Sequence, residues 1–151
     1  MALITNFKTQ LRCPRCGHDG TAWLYSTLGS RGATYGVGDC PGDDILPIDF
    51  EESSFTVRQP AKNEPIHMLM SWTCESCDCS NFGEVVFEGG CVRSIDLVEL
   101  DPSTLARIHY ISTDLEDRIE TIIGERLYSD SGVRSDWLPA LRKALDDGRR
   151  W

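Results

Sequence analysis

The sequence predicts an α+β protein, an antiparallel β-sheet with C-terminal helices packed on it, and three observations predict it. Strand-like runs separated by turn residues fill the chain up to about residue 100. A Gly89-Gly90 pair between two of these runs marks a hairpin, because glycine accepts the positive φ that a primed two-residue turn needs. After Leu100 the apolar residues recur at spacings of three and four, the period of a helix face. Nothing suggests parallel crossover units.

The elements follow in order. The N-terminal segment alternates into a strand that ends before Cys13, and Thr21-Ala-Trp23-Leu-Tyr25-Ser returns with strand-forming side chains. Gly29, Gly32, Gly36, Gly38 and Gly42 then punctuate an irregular stretch through Pro47. Ser54–Val57 reads as a short strand, closed by the turn-like stretch from Gln59 to Pro65. Ile66–Thr73 is an apolar strand, and Glu84–Glu88 with Cys91–Glu99 form the glycine hairpin. Asp101 is a good N-cap and Pro102 suits the first helical position, where no amide hydrogen is needed.

Leu105, Ile108, Ile111, Leu115, Ile119 and Ile122 share one face of a helix predicted from residue 102 to about 127. Thr113-Asp-Leu-Glu116 matches a capping box, so that helix is either continuous or restarts near Ser112. A last short helix is expected from about Trp137 or Pro139 to Asp147, with Gly148 as its stop. The organisation expected is a β domain over residues 1–100, with an irregular acidic insert at about 29–65. A helical segment, 101–151, packs on the same core.

Composition bounds the function. The 151 residues are 40% hydrophobic and 26% charged, as in ordinary soluble globular proteins. No apolar run approaches the ~20 residues needed to cross a bilayer. The first residues lack the basic and apolar segments of a secretory signal, which points to the cytoplasm. In that reducing compartment the seven cysteines read as metal ligands and leftover thiols, not as a disulfide framework. Cys40 and Cys91 have no local partners and read as small buried hydrophobes.

Net charge is −9, which argues against a protein whose main task is gripping phosphates. The charge is uneven. Residues 1–31 carry four bases against one acid, whereas residues 32–65 carry two bases against seven acids. The densest stretch places Asp39, Asp43, Asp44, Asp49, Glu51 and Glu52 around Ile45, Leu46, Ile48 and Phe50. Such a stretch is either a solvated loop or a recognition surface, in which apolar anchors sit inside a carboxylate ring facing a basic protein.

The sharpest chemical signal is a pair of C-x-x-C motifs, Cys13-Pro14-Arg15-Cys16 and Cys74-Glu75-Ser76-Cys77. Two thiolates at this spacing reach one cation when the backbone turns tightly, and two such turns complete a tetrahedral S₄ shell. Gly17 directly after the first pair suits a turn that needs positive φ. A redox C-x-x-C would instead open a helix after a βαβ-type strand, a context absent here. The ligands expected are Cys13, Cys16, Cys74 and Cys77, holding a structural Zn²⁺ with no open position for a catalytic water.

This arrangement resembles a zinc ribbon, in which two knuckles at the ends of β-hairpins share one zinc ion. The resemblance covers about residues 8–28 and 66–100. It departs from the pattern in two ways: Asp78 stands where a knuckle glycine is expected, and Cys79 competes with Cys77 as fourth ligand. The long gap between the motifs implies an inserted subdomain.

No catalytic constellation accompanies the metal motif. His18, His67 and His109 lie in no H-E-x-x-H, and phosphate-cradling, dinucleotide and nucleophile-elbow motifs are absent. His18 is expected to be solvent-exposed, and His67 and His109 to be satisfied structural histidines. The expectation is therefore a non-catalytic acidic protein-binding module, of the inhibitor or immunity type, that blocks a basic nuclease- or toxin-like partner. The alternative is a nucleic-acid-binding or transcription-associated protein, with Lys8, Arg12, Arg15 and Arg31 near Trp23 and Tyr25.

Overall fold

The computed structural model describes residues 5–26, 34–41, 54–78, 80–99 and 102–112. They form two sheets and one short helix. β1 (Thr5–Arg12) and β2 (Asp19–Ser26) make an antiparallel hairpin, and β3 (Thr34–Tyr35) adds in parallel on the other side of β1. The second sheet has the order β4-β8-β5-β6-β7. It comprises β4 (Ser54–Thr56), β5 (Ile66–Thr73), β6 (Ser80–Glu88), β7 (Cys91–Val98) and β8 (Tyr110–Ser112). Gly89 and Gly90 both adopt positive φ, 61° and 80°, as the hairpin between β6 and β7 requires.

The two sheets pack face to face, with β2 lying against β5. Alternation along β1 and β2 turns Phe7, Ala22 and Leu24 inward, where they meet Met68, Met70, Trp72, Val85, Phe87 and Ile95. Phe7 meets Phe87 edge to face, with ring centroids 5.6 Å apart. The opposite face of the larger sheet is buried too, through Leu69, Phe82 and Ile111.

Among the described residues no C-terminal helix packs on the sheet, so the α+β assignment is corrected to a mostly β fold, and its sheets are mixed where antiparallel strands were expected, with β3 parallel to β1 and β8 parallel to β5. Among the described residues the only helix is α1 (Pro102–Arg107). Its last turn closes with Ile108 N–H donating to Thr104 O at 3.2 Å. The chain then enters β8, which lies between β4 and β5. The helical spacing of Leu105, Ile108 and Ile111 was misleading for a physical reason. A central strand is buried on both faces and reads as a continuous apolar run, and Tyr110, Ile111 and Ser112 are all buried. Residues 113–127 and the short helix expected near 137–147 lie outside the described residues.

A second correction concerns Cys40 and Cys91, which are joined in a disulfide. They are 51 positions apart, too far for the sequence to pair them. The backbone brings them together: Gly38 N–H donates to Val92 O at 2.8 Å, and Val92 N–H donates to Asp39 O at 2.7 Å. The stretch before Cys40 is thereby docked on β7. Closing a loop of 51 residues removes chain entropy from the unfolded state equivalent to about 4 kcal/mol. Cys40→Ser is expected to lower stability by about 2–4 kcal/mol in non-reducing buffer, measured by denaturant unfolding, and to match the native chain once both are reduced.

Candidate metal centre

The first knuckle joins β1 to β2 and the second follows β5, so each hangs from the end of a hairpin in a different sheet. The backbone makes the same turn twice. Gly17 N–H donates to Cys13 O and Asp78 N–H donates to Cys74 O, both at 2.9 Å. Gly17 has φ 76° and Asp78 has φ 58°. Asp78 thus takes the role expected of glycine, as aspartate can because its short polar side chain tolerates the left-handed region.

Sγ atoms of Cys13, Cys16, Cys74 and Cys77 all lie within 4.8 Å of one another. Cys13 and Cys77 are 3.7 Å apart and Cys16 and Cys74 are 3.6 Å apart. A tetrahedral shell with metal–sulfur bonds of ~2.3 Å requires sulfur separations of ~3.8 Å, so the four thiols fit one such ion. None of the four is in a disulfide. Cys77 stands in this cluster, while Cys79 lies outside the described residues.

The surroundings favour thiolate. Burial pushes the Cys13 thiol up, but backbone hydrogen bonds at Cys16 and Arg15, with the Cys77 and Cys16 thiols, lower it from 9.0 to about 6. Fully buried Asn81 points Nδ2 at Cys13 Sγ, 3.7 Å away. Sequence reasoning missed this residue; an amide inside the apolar β6 run, soon after the motif, was the available signal. His18, expected merely to face solvent, pairs with Glu75 across the two knuckles at 3.1 Å. Both side chains are exposed, so this contact adds little energy.

A second constellation was also missed. Glu84, almost fully buried, accepts from Arg107 Nε and a terminal guanidinium nitrogen at 2.8–3.0 Å. Its Oε2 also meets His67 Nδ1 at 2.6 Å. His109, fully buried, accepts the His67 backbone N–H on Nδ1, so its Nε2 carries the proton and donates to Glu64 at 2.9 Å. Arg58 completes the set on Glu64 at 3.1 Å. His109 is therefore the satisfied structural histidine expected from sequence. These six residues come from three separate stretches, 58–67, 84 and 107–109, which no local pattern could have linked.

The network sets a pH dependence. Burial holds His109 below its ordinary 6.5, against the pull of Glu64. The unfolded chain takes up this proton first, so stability falls as pH drops below about 6.5. The Ala61 N–H and His109 hold Glu64 down at about 2, from an ordinary 4.5. Its stabilisation is complete above 4.5 and is lost as pH falls towards 2. Thermal melts between pH 7 and pH 3 are expected to show progressive acid destabilisation, flattened below 4.5 in Glu64→Gln.

Of the six acidic residues expected to contact a partner, Asp39 is described. It is exposed, and its Oδ2 accepts the Gly36 N–H at 2.6 Å. Asp43, Asp44, Asp49, Glu51 and Glu52 lie outside the described residues. No helix among the described residues is long and apolar enough to cross a membrane. No protein-family model matches the chain, and no curated protein or solved structure shows significant similarity to it.

Proposed function

We propose that the chain is a zinc-stabilised, non-catalytic protein-binding module of zinc-ribbon type, acting in the cytoplasm as an inhibitor or immunity-type protein. Its partner is a basic nuclease- or toxin-like protein. The observation that carries the metal reading is the set of sulfur separations, which suits a closed S₄ shell. Soft thiolates in tetrahedral array favour zinc, and a shell filled by protein leaves no place for a reacting water. The ion's role is then to join the ends of two sheets.

The partner reading rests on charge. A chain of net −9 concentrates six carboxylates between residues 39 and 52, where they can mimic the anionic substrate of a basic enzyme and speed encounter. The segment's start is held against β7 by the hydrogen bonds of Gly38 and Asp39 with Val92, which do not depend on the Cys40–Cys91 link that a reducing cytoplasm would open, and this limits the ordering entropy of binding.

Two experiments test this. Elemental analysis of protein purified without added metal should return one zinc per chain; another ion or none would overturn the metal assignment. Capture from the native host should yield a basic protein whose activity the chain suppresses. The variant carrying serine at Asp43, Asp44, Glu51 and Glu52 should lose both effects, and unchanged inhibition would remove the acidic segment from the mechanism.

A further inference from the structure

The described cysteines divide into two sets. Four thiols gather within 4.8 Å of one another, and two of these, Cys13 and Cys74, are buried. The other set is the linked pair, in which Cys40 is exposed and Cys91 half-buried. Cys91 opens β7 directly after the Gly89-Gly90 turn, at the end of the hairpin. Thiol–disulfide exchange needs open access to a sulfur, so a small thiol in solution reaches the pair before it reaches the gathered four.

The backbone beside the pair is arranged to outlast the link. Asp39 N–H donates to Gly36 O at 3.1 Å, and Gly36 N–H donates to Asp39 Oδ2 at 2.6 Å, so residues 36–39 close a turn of their own. Gly38, at φ 93°, supplies the positive φ within it. Gly38 and Asp39 then bond Val92, one through its N–H and the other through its carbonyl. None of these hydrogen bonds uses a sulfur. With the link open, Cys40 still follows docked Asp39 and Cys91 still precedes Val92. Each thiol keeps a high effective concentration at the other, which makes closure repeatable.

We propose that Cys40 and Cys91 are a reversible thiol–disulfide exchange site for a low-molecular-weight thiol of the glutathione kind. The small thiolate attacks exposed Cys40 Sγ, the bond to Cys91 breaks, and Cys91 leaves as a thiolate that takes up a proton. A second small thiolate attacks the non-protein sulfur of the mixed disulfide, and Cys40 leaves in the same way. Two small thiols are thereby oxidised to one disulfide, and their two electrons and two protons end on the cysteines. Closure is the reverse, with the small disulfide as oxidant. Asp39, the first of the clustered carboxylates, adjoins Cys40, so the two states differ in how the acidic segment is tied to β7. The exchange stands on the two sulfurs and the docked turn; its consequence for partner capture alone rests on the acidic-segment reading.

The test is a glutathione titration of the full chain, with thiols trapped by an alkylating reagent and mapped by mass spectrometry. In about 10 mM glutathione, at about a hundredfold excess over its disulfide, Cys40 and Cys91 should both be alkylated; in glutathione disulfide alone, neither should be. Metal content and circular dichroism should be the same in both states. Cys40→Ser should stall with glutathione held on Cys91 as a mixed disulfide, which the native chain resolves. Gly38 and Val92 amides should exchange with deuterium about tenfold faster in the open state, yet more slowly than in an unfolded chain. A link that stays closed in the reducing mixture overturns the proposal, as does opening only on global unfolding. Exchange confined to Cys13, Cys16, Cys74 and Cys77 overturns it as well. So do unprotected Gly38 and Val92 amides in the open state, because the turn would then not outlast the link. The serine variant of the acidic segment should keep the same exchange, so the two readings fail separately.

Discussion

Cys13→Ser is expected to abolish metal retention and to cost the chain its cooperative thermal transition. Structural zinc contributes ~10–16 kcal/mol to the folding of small zinc-finger peptides, comparable to the whole ~5–15 kcal/mol net stability of an ordinary domain. Cys13 combines full burial, contact with Cys77 and a hydrogen bond from Asn81, so its loss opens the site from the inside. A strong chelator should reproduce the effect in the native chain. Asn81→Leu is the milder perturbation: the four sulfurs remain, and metal affinity should fall about 10–100-fold while the chain stays folded with metal in excess. A metal-free Cys13→Ser protein melting as the native one does would show that the two sheets hold together without the ion.

The second large effect is expected at Glu84. Glu84→Ala removes the acceptor shared by Arg107 and His67, leaving a cation and an imidazole N–H facing a cavity. Removing one member of a buried pair typically costs about 3–5 kcal/mol, but Arg107 is 42% exposed and can turn to water, so about 3 kcal/mol is the expected loss. For a chain of this size that corresponds to a fall in Tm of about 6–12 °C. Glu84→Gln keeps one acceptor oxygen and should lose clearly less. A Glu84→Ala melt within the error of the native one would mean that the network is neutral, its Coulomb attraction cancelled by desolvation.

These expectations separate what a linear pattern can carry from what it cannot. The β5, β6 and β7 strands were legible because each buries an apolar face, and the Gly89-Gly90 turn because its positive φ values need glycine. The helix expected from residue 102 was over-read at residues 110–112, since a three-residue strand buried on both sides has no period of its own. Cys40 and Cys91 were separated into buried thiols because pairing depends on which strand the 36–40 stretch docks against. The Glu84 and Glu64 networks were invisible because they join residues with no sequence relation to one another.

By itself the sequence determined the ligand chemistry: four cysteines in two C-x-x-C pairs, and a glycine after the first. That information is local, because a knuckle is a turn of a few residues with its own backbone requirements. Only the tertiary structure decided that Cys77 gathers with the other three thiols, that Asp78 takes the second left-handed position, and that Asn81 backs Cys13. It also decided that Lys8 and Trp23 share an outward face, the ammonium over the indole, with Arg12 and Asp19 opposite each other further along it. Each of these depends on strand register and on how one sheet lies over the other, and long-range packing sets both.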